Sequence, residues 1–474
     1  MSSVSALNSL LGSTSSSSGI DLSQILQAAT GASTAGIDVT TAVNSAVTAA
    51  QAPETAWENQ QATLQSQTTA LTQLQTDSTN LDNDMQALNS LTGPLSSRTV
   101  ASSDSTIVSA SAASGSAVGN HTVMVTSLAA TASWASGTVA SATTPLAAGS
   151  FTITGATGTT TTISTGTGTS TLNDVANTIN ADSLGVTASV ITDATGARLA
   201  IVSNTSGAAN NFTVTAGTGG LTFAQAVPGA NASLTVDGIQ IASASNTVTG
   251  ALAGVTLNLL NAAPGTNVNL TIAPDTTQAS TAINQFVTDY NKAISDLNTQ
   301  FTFTGTSEGV LATDSVVRSL QSTLEGALSY TNTPASGTTT VSNLSSMGIT
   351  VNDDGTLTAD SATLTNSLQN NYSDVQTFFQ GASLNGFANS MDQQLTSFIS
   401  PADGAFTLDL SSISTEYSGL QTDITNFETN YITPLKAQLQ SEYSQAEILL
   451  QQLPTEMQQI NTELGLNNNS SSGG

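Results

Sequence analysis

The stretch WENQQATLQSQTTALTQLQTDSTNLDNDMQALNSLTGPL, residues 57–95, carries the pattern that decides the fold. Apolar residues recur in it at heptad spacing and form two seams. One seam holds Trp57, Leu64, Leu71, a polar Ser78 and Met85, and the other holds Gln60, Gln67, Leu74, Leu81, Leu88 and Leu95. Spacing sustained over several heptads predicts a helix in a bundle or coiled coil. Gly93 and Pro94 are expected to fray or end this helix.

A second long helical pattern occupies the other end of the chain. Its first part alternates spacings of three and four through Leu410, Ile413, Tyr417, Leu420, Ile424, Phe427 and Tyr431, and it resumes after Pro434 as far as Leu464. Pro434 and Pro454 are expected to kink or interrupt the helix. The candidate self-assembly residues of both ends are Trp57, Leu64, Leu71, Leu74, Leu81, Leu88, Tyr431, Leu435, Leu439, Tyr443, Leu450, Leu453, Met457, Ile460 and Leu464. The alternative is that these heptads form an internal bundle without a partner.

Residues 99–274 have a different character, with short alternating runs bounded by Gly, Asn, Asp and Pro. Period two predicts half-buried strands, such as 121–126 and 267–272. Asp237-Gly238 is expected to be the two-residue turn of a hairpin over 234–241. Thr171 to Asn180 predicts one short helix within this β-rich block.

Helical patterns return at about residue 275, and a hairpin is expected around Asn352-Asp-Asp-Gly355. The predicted fold class is therefore multidomain α+β, with terminal heptad helices that form a helical bundle or coiled-coil leg and with inserted β-rich head domains. The predicted domains are a terminal export segment (1–35), a discontinuous helical leg (36–98 and 275–409), a β-rich head (99–140 and 231–274), a second inserted β-rich head (141–230), and a C-terminal coiled-coil helix with a flexible tail (410–474).

Charge is the most unusual feature of the composition. The chain has 32 acidic residues and five basic ones, for a net charge of -27. Such a chain cannot neutralise phosphates, so neither nucleic acid nor an anionic membrane is an expected partner. An acidic habitat would explain the scarcity of Lys and Arg, and compositional drift in a Ser/Thr-rich secreted protein would explain it as well.

The sequence also bounds the route of export. Cysteine is absent, so disulfides and thiolate metal sites are excluded. Residues 1–35 contain no Lys or Arg and no continuous apolar segment, so we do not expect a classical signal peptide. We expect instead a disordered or frayed export segment. No run of residues approaches transmembrane length.

Catalytic chemistry finds little support. His121 is the only histidine and lies in a strand-like alternation, so we interpret it as an ordinary strand residue. The Asn352–Gly355 stretch fails as an EF-hand loop, because Thr350 and Ser361 would occupy its first and last positions. The carboxylates are interpreted as scattered along solvated faces. We therefore predict no catalytic, cofactor-binding or metal-ligating residues, and no cofactor.

Several ordered motifs resemble those of one known family. They are Gly36-Ile-Asp-Val39, Gln51-Ala-Pro53, 282–291 (AINQFVTDYN), 309–314 (GVLATD) with Arg318, 344–351 (LSSMGITV), 354–357 (DGTL) and Gly386-Phe-Ala388. In this order, over about 36–464, they resemble flagellar filament-capping proteins, the flagellar hook-associated protein 2 family. Residues 172–180 (LNDVANTIN), with Gly185-Val186, Ala188, Arg198-Leu199 and Gly207, resemble an insertion motif of flagellar hook and filament proteins.

The resemblance implies a secreted structural protein and not an enzyme. It implies export through the flagellar channel, a ring-like homo-oligomer at the extracellular filament tip, and a role in flagellin folding and polymerisation. The implied partners are flagellin, the hook-associated junction proteins and a cytoplasmic export chaperone that holds the C-terminal helices. The scarcity of Lys and Arg departs from the family and puts the chaperone contact in doubt. The alternatives are another axial flagellar protein, a junction protein or flagellin, and a Ser/Thr-rich secreted adhesin or surface enzyme. Cell adhesion by the head is a possible secondary role.

Overall fold

The computed structural model describes residues 38–166, 170–303, 305, 308–332 and 339–463. The predicted export segment and the terminal tail lie outside these described residues. The chain divides into two compact units, one formed by the residues up to Gln73 and from Phe406 onward, the other by Leu74–Ala405. The predicted combination of long terminal helices with antiparallel β-sheets between them is confirmed.

The helices follow the predicted order along the chain. They are α1 Val39–Ala50, α2 Ala52–Asn89, α3 Leu172–Ala181, α4 Thr276–Phe301, α5 Ser315–Ala327, α6 Ser361–Asn370, α7 Tyr372–Gln380, α8 Phe387–Ile399, α9 Ala405–Phe427 and α10 Thr433–Glu463. Asp38 caps α1 by accepting the backbone N–H of Thr41 at 3.1 Å. Leu95, predicted in a heptad seam, lies beyond the end of α2 in a short 3-10 turn that starts at Pro94. That prediction is wrong because Gly93 and Pro94 end the helical hydrogen bonding first.

The two C-terminal prolines behave differently. A π-helical turn, Glu428–Ile432, immediately precedes α10, and Pro434 lies in the first turn of that helix. A widened turn there accommodates the proline ring, which would otherwise meet the carbonyl four residues earlier. Pro454 lies inside α10, so the helix is not interrupted there, and a kink at this residue stays a prediction.

The strands lie almost entirely between α2 and α4. They are β1 Arg98–Ser102, β2 Val108–Ala112, β3 Gly119–Ser127, β4 Thr131–Ser136, β5 Gly149–Thr154, β6 Thr160–Thr165, β7 Val186–Asp193, β8 Gly196–Ser206, β9 Thr213–Ala216, β10 Phe223–Val227, β11 Ala232–Val236, β12 Ile239–Ser243, β13 Thr247–Leu252, β14 Val255–Leu259, β15 Val268–Pro274, β16 Ile349–Val351 and β17 Leu357–Ala359. Every pairing between them is antiparallel.

The first β-rich body combines a five-stranded sheet, ordered β1-β15-β3-β11-β12, with a three-stranded sheet, ordered β13-β14-β2. Alternate residues from both sheets, including Val123, Leu257 and Leu270, form one apolar core. The predicted hairpin is confirmed, since Val236 pairs with Ile239 across Asp237 and Gly238, which both have positive φ. Asp-Gly suits this turn because two left-handed residues match the strand twist.

The second β-rich body joins a four-stranded sheet, β10-β4-β8-β7, to a three-stranded sheet, β6-β5-β9, around α3. The short helix predicted at 171–180 is confirmed, and Thr171 with Asp174 forms its capping box. Both β4 and Ala132 of its core precede residue 141, where the sequence places the start of this domain. Its boundary at 141 remains a proposal, and the sheet itself begins at Thr131.

The helical part of the larger unit surrounds an aromatic cluster. Phe286 on α4 lies 5.7 Å, ring centroid to centroid, from Phe387 on α8, which stacks on Phe378 of α7 at 5.3 Å. The apolar face predicted on α4 is buried, from Ile283 to Leu297. The predicted hairpin at Asn352–Gly355 is also present, and it joins β16 to β17.

Candidate functional site

The smaller unit contains a helical seam between the two ends of the chain. Val43 and Val47 of α1 share a buried cluster with Ile432 and Leu439, and Tyr443 packs against its edge. Burial of each such aliphatic side chain contributes about 1.5–3 kcal/mol to stability. The seam therefore holds α1 firmly against the π turn and the first half of α10.

Aromatic side chains extend this seam toward α2. The rings of Trp57 and Phe427 meet edge to face with centroids 5.5 Å apart, and Phe427 stacks on Tyr431 at 5.1 Å. Edge-to-face pairs of this kind contribute about 0.5–1.5 kcal/mol beyond their buried area. Tyr431 is nevertheless 52% exposed, so one face of this cluster remains open to solvent.

Polar contacts continue along α2 and α9. The amide of Gln51 donates to Glu54 at 3.1 Å and to Glu428 at 3.0 Å, and Gln60 donates to Glu416 at 2.8 Å. Burial raises the pKa of Glu54, and the nearby charge of Glu428 raises it further. The helices thus meet through neutral amides where salt bridges would be usual, and the Gln51 amide lies between two carboxylates.

The structure separates the predicted self-assembly residues into two groups. On α2, Leu64, Leu71, Leu74, Leu81 and Leu88 are buried within the chain, and Trp57 is half-buried. On α10, Leu439 is buried, while Leu435, Tyr443 and Leu450 are half-buried. Leu435, Leu439 and Tyr443 belong to the cluster with α1 or pack against it. The role of all these residues in self-assembly remains a prediction. Leu464 and the side chain of Met457 lie outside the described residues.

The second half of α10 carries an exposed apolar stripe, defined here as Ile448, Leu449, Leu453 and Ile460. Their side chains are 54%, 66%, 45% and 53% exposed. The cause is helix length. With 12 residues, α1 spans about 18 Å, whereas the 31 residues of α10 span about 46 Å. Among the described residues, α1 can therefore cover less than half of α10, although the apolar pattern continues.

Acidic residues flank the stripe. Residues 401–464 contain nine Asp and Glu residues and one basic residue, Lys436. Four of the acidic residues are on α10: Glu442, Glu447, Glu456 and Glu463. A second acidic helix that packs on the stripe would meet like charges, and this repulsion is screened by salt.

Sites for chemistry find little support elsewhere. His121 lies in β3, as predicted, and its Nδ1 is 2.8 Å from Asp237 of the β11–β12 turn. An open cleft of about 900 Å³ beside the Asn352–Gly355 turn is lined by Glu325, Asp353 and Asp354 and by neutral side chains. The described residues contain no group of three or more His, Cys, Asp or Glu side chains that could hold a metal ion. None of their helices is both long and apolar enough to span a membrane.

Comparison with known proteins identifies the family. The model of the flagellar hook-associated protein 2 C-terminus matches residues 229–455, and the model of the N-terminus of the same family matches 35–133. The chain belongs to the flagellar hook-associated protein 2 family. The flagellin hook IN motif matches residues 150–205, within the second β-rich body of this family member.

Individual relatives agree with this assignment. The B-type flagellar hook-associated protein 2 of Pseudomonas aeruginosa is 30% identical over 42% of this chain and 47% of that protein. The lateral flagellar hook-associated protein 2 of Vibrio parahaemolyticus is 27% identical over 61% of this chain and 66% of that protein. The matches therefore span about half to two thirds of these two relatives.

A solved structure confirms the fold class. The D1-D2-D3 domains of the flagellar cap protein FliD from Escherichia coli match with a TM-score of 0.59 at 28% identity, covering 73% of this chain and 99% of that one. Membership in the hook-associated protein 2 family makes the chain a non-enzymatic structural protein, located outside the cell at the tip of the flagellum. Those two predictions, and the predicted family, are confirmed.

One set of residues in this hook-associated protein escaped the sequence analysis. The carboxylates were predicted to lie on solvated faces, but two on α2 do not. Asp82 faces Asp392 on α8, and Asp84 faces Asp289 on α4. The prediction is wrong because α8 and α4 return against α2 from nearly opposite sides, next to its leucine seam. The signal in the sequence was weak: acidic residues adjoin Leu81 and Met85, which are seam positions.

Proposed function

We propose that the chain caps the distal end of the flagellar filament by self-assembling, through its terminal helices, into a ring-like oligomer that promotes flagellin folding and polymerisation. The exposed stripe of α10 carries this proposal. Four large apolar side chains, each at least 45% exposed, stand at the end of a helix whose first half is already packed on α1. A contiguous apolar surface of this kind is typical of an interaction site.

A second copy of the chain is the proposed occupant of the stripe. The heptad spacing of Leu453 and Ile460 suits helix-to-helix packing, and an identical α10 offers an equally apolar face. The acidic residues beside the stripe make such a contact dependent on salt, because salt screens the repulsion between like charges. Family membership supports flagellin, the hook-associated junction proteins and an export chaperone as further partners.

The oligomeric state tests the proposal. We expect the purified wild-type chain to form oligomers in solution, and Leu453→Asp with Ile460→Asp to leave smaller species. The matched control is Gln451→Asp with Gln458→Asp, which adds the same charge about 200° around the helix from Leu453 and Ile460. Mass photometry of the three proteins should show oligomers for the wild type and the control alone. Equal oligomer masses for both double variants would contradict the assignment of the stripe.

A further inference from the structure

Two pairs of carboxyl groups join α2 to other helices of the larger unit. The carboxyl of Asp82 lies within hydrogen-bonding reach of that of Asp392 on α8, and Asp84 stands in the same relation to Asp289 on α4. Residues two apart on a helix project about 200° from each other. The pairs therefore engage nearly opposite sides of α2, between Leu81 and Leu88, which are fully buried.

Within the part of the chain that the structure describes, no Lys, Arg or His forms an ion pair with these carboxyls. Asp82 is only 5% exposed. Its Oδ2 accepts a hydrogen bond from the side-chain amide of Gln86 at 2.8 Å. Its Oδ1 is buried and accepts no hydrogen bond among the described residues. Oδ2 of Asp84 is likewise buried and accepts no hydrogen bond among the described residues. A buried acceptor that lacks a donor is destabilising, and more so when it is charged.

Lys292 and Asp289, both on α4, have further partners of their own. Lys292 on α4 bonds Asp296 and lies 3.6 Å from Asp77. Asp289 accepts the amide of Gln285 at 2.9 Å. A proton shared within each pair would supply such a donor, because a protonated carboxyl donates to its neighbour while an ionised one cannot.

We propose that these carboxyl pairs are proton-dependent clasps that hold α2 against α4 and α8, so that this helical bundle is more stable in mildly acid solution than in alkaline solution. The clasps are independent of the proposed capping function. Each closes when one carboxyl binds a proton and donates it to the other, and each opens when that proton leaves for solvent and two carboxylates face each other.

The direction of the pH effect follows from linkage. Burial, together with the facing carboxyl, raises the pKa of Asp82 and of Asp84 from 3.8 to about 7 in the folded chain. A raised folded-state pKa means that the native state binds the extra proton between these values. The stabilisation is therefore complete below pH 3.8 and is lost as pH rises through about 7.

Hydrogen exchange measured by mass spectrometry on the full chain tests the clasps. The opening constant of peptides from α2, α4 and α8, corrected for intrinsic exchange, should rise with pH between about 5 and 6.5 by up to about tenfold per pH unit for each clasp. Asp82→Asn with Asp84→Asn should remove that rise, because an amide donates without a titrating proton. Asp353→Asn, at an exposed turn of the same unit, is the control and should keep it.

Two outcomes would overturn the proposal. One is an Asp82→Asn, Asp84→Asn chain whose exchange retains the wild-type pH dependence; should that chain not fold, Asp392→Asn with Asp289→Asn carries the same prediction from the partner side. The other is protection at pH 8 restored by added calcium and abolished by a chelator, since the pairs would then be bridged by a divalent cation. Loss of the pH dependence with no response to calcium supports the clasps.

Discussion

The side-chain amide of Gln51 donates to Glu428 at 3.0 Å, across 377 positions of sequence, and the same amide donates to Glu54 at 3.1 Å. One neutral side chain thus separates two carboxylates where the first turn of α2 meets the turn before α10. A similar contact joins Gln60 to Glu416, so amides in this unit take the place that Lys and Arg have in proteins with more basic residues.

Removal of the Gln51 amide should destabilise the smaller unit most at neutral pH. Gln51→Ala leaves buried Glu54 beside Glu428 with no donor, which should cost about 1–3 kcal/mol in free energy of unfolding. The pKa of Glu54 is raised by burial, so the loss should shrink as pH falls and this carboxyl binds a proton. In a Trp134→Phe background, Trp57 is the single tryptophan, and its fluorescence during urea unfolding reports on this unit.

The control for this measurement is Gln60→Ala. Gln60 also bridges to a glutamate, Glu416, but at an exposed position. Its loss should change the free energy of unfolding by about 0.5 kcal/mol or less. Equal losses for the two variants, or a Gln51→Ala loss that does not change with pH, would contradict the role given to the amide.

Salt should enlarge the oligomers. Between about 0.1 M and about 1 M salt the Debye length falls from about 10 Å to about 3 Å, which screens the repulsion between acidic helices. Sedimentation at neutral pH should therefore show a shift to larger species as salt rises, and the Leu453→Asp, Ile460→Asp chain should stay small throughout. Wild-type oligomers that dissociate in high salt would show that attraction between charges holds them.

The second β-rich body should be removable along its own boundary. Ala130 and Ala230 face each other as an antiparallel bridge, with N–H to O distances of 2.9 and 3.1 Å, so a short glycine linker can replace 131–229. We expect this deletion to leave the helical legs folded and, at worst, to shorten filaments. Deletion of 141–230 instead leaves β4 in the chain but removes its sheet partners β8 and β10, and it should give aggregated protein. Filament length by electron microscopy and solubility of each deletion check these expectations.

Local sequence signals predicted the local structure well. Asp237-Gly238 and Asn352–Gly355 contain the residues that their turns require, and the helix from Thr171 to Asn180 has its own apolar spacing, so each was visible without tertiary information. The two clasps were not visible, because Asp392 and Asp289 reach α2 only through the folding of distant helices. A buried carboxyl is therefore predicted to be a surface residue when its partner is far away in the sequence.

The candidate site was predictable in part for a related reason. Leu439 and Leu453 have the same place in the apolar pattern of α10, and sequence alone treats them alike. In the structure Leu439 is buried against α1, whereas Leu453 is 45% exposed. The difference arises because α1 is short and covers only part of α10. The apolar pattern of α10 contains no information about the length of α1.

Filament assembly in cells tests the central claim most directly. In a strain that lacks its own cap protein, the wild-type chain and the Gln451→Asp, Gln458→Asp control should restore filaments. Leu453→Asp with Ile460→Asp should instead release flagellin monomer into the medium without filaments, because two buried apolar contacts, worth about 1.5–3 kcal/mol each, are lost in every subunit. Normal filaments and swimming with the Leu453→Asp, Ile460→Asp chain would contradict the account.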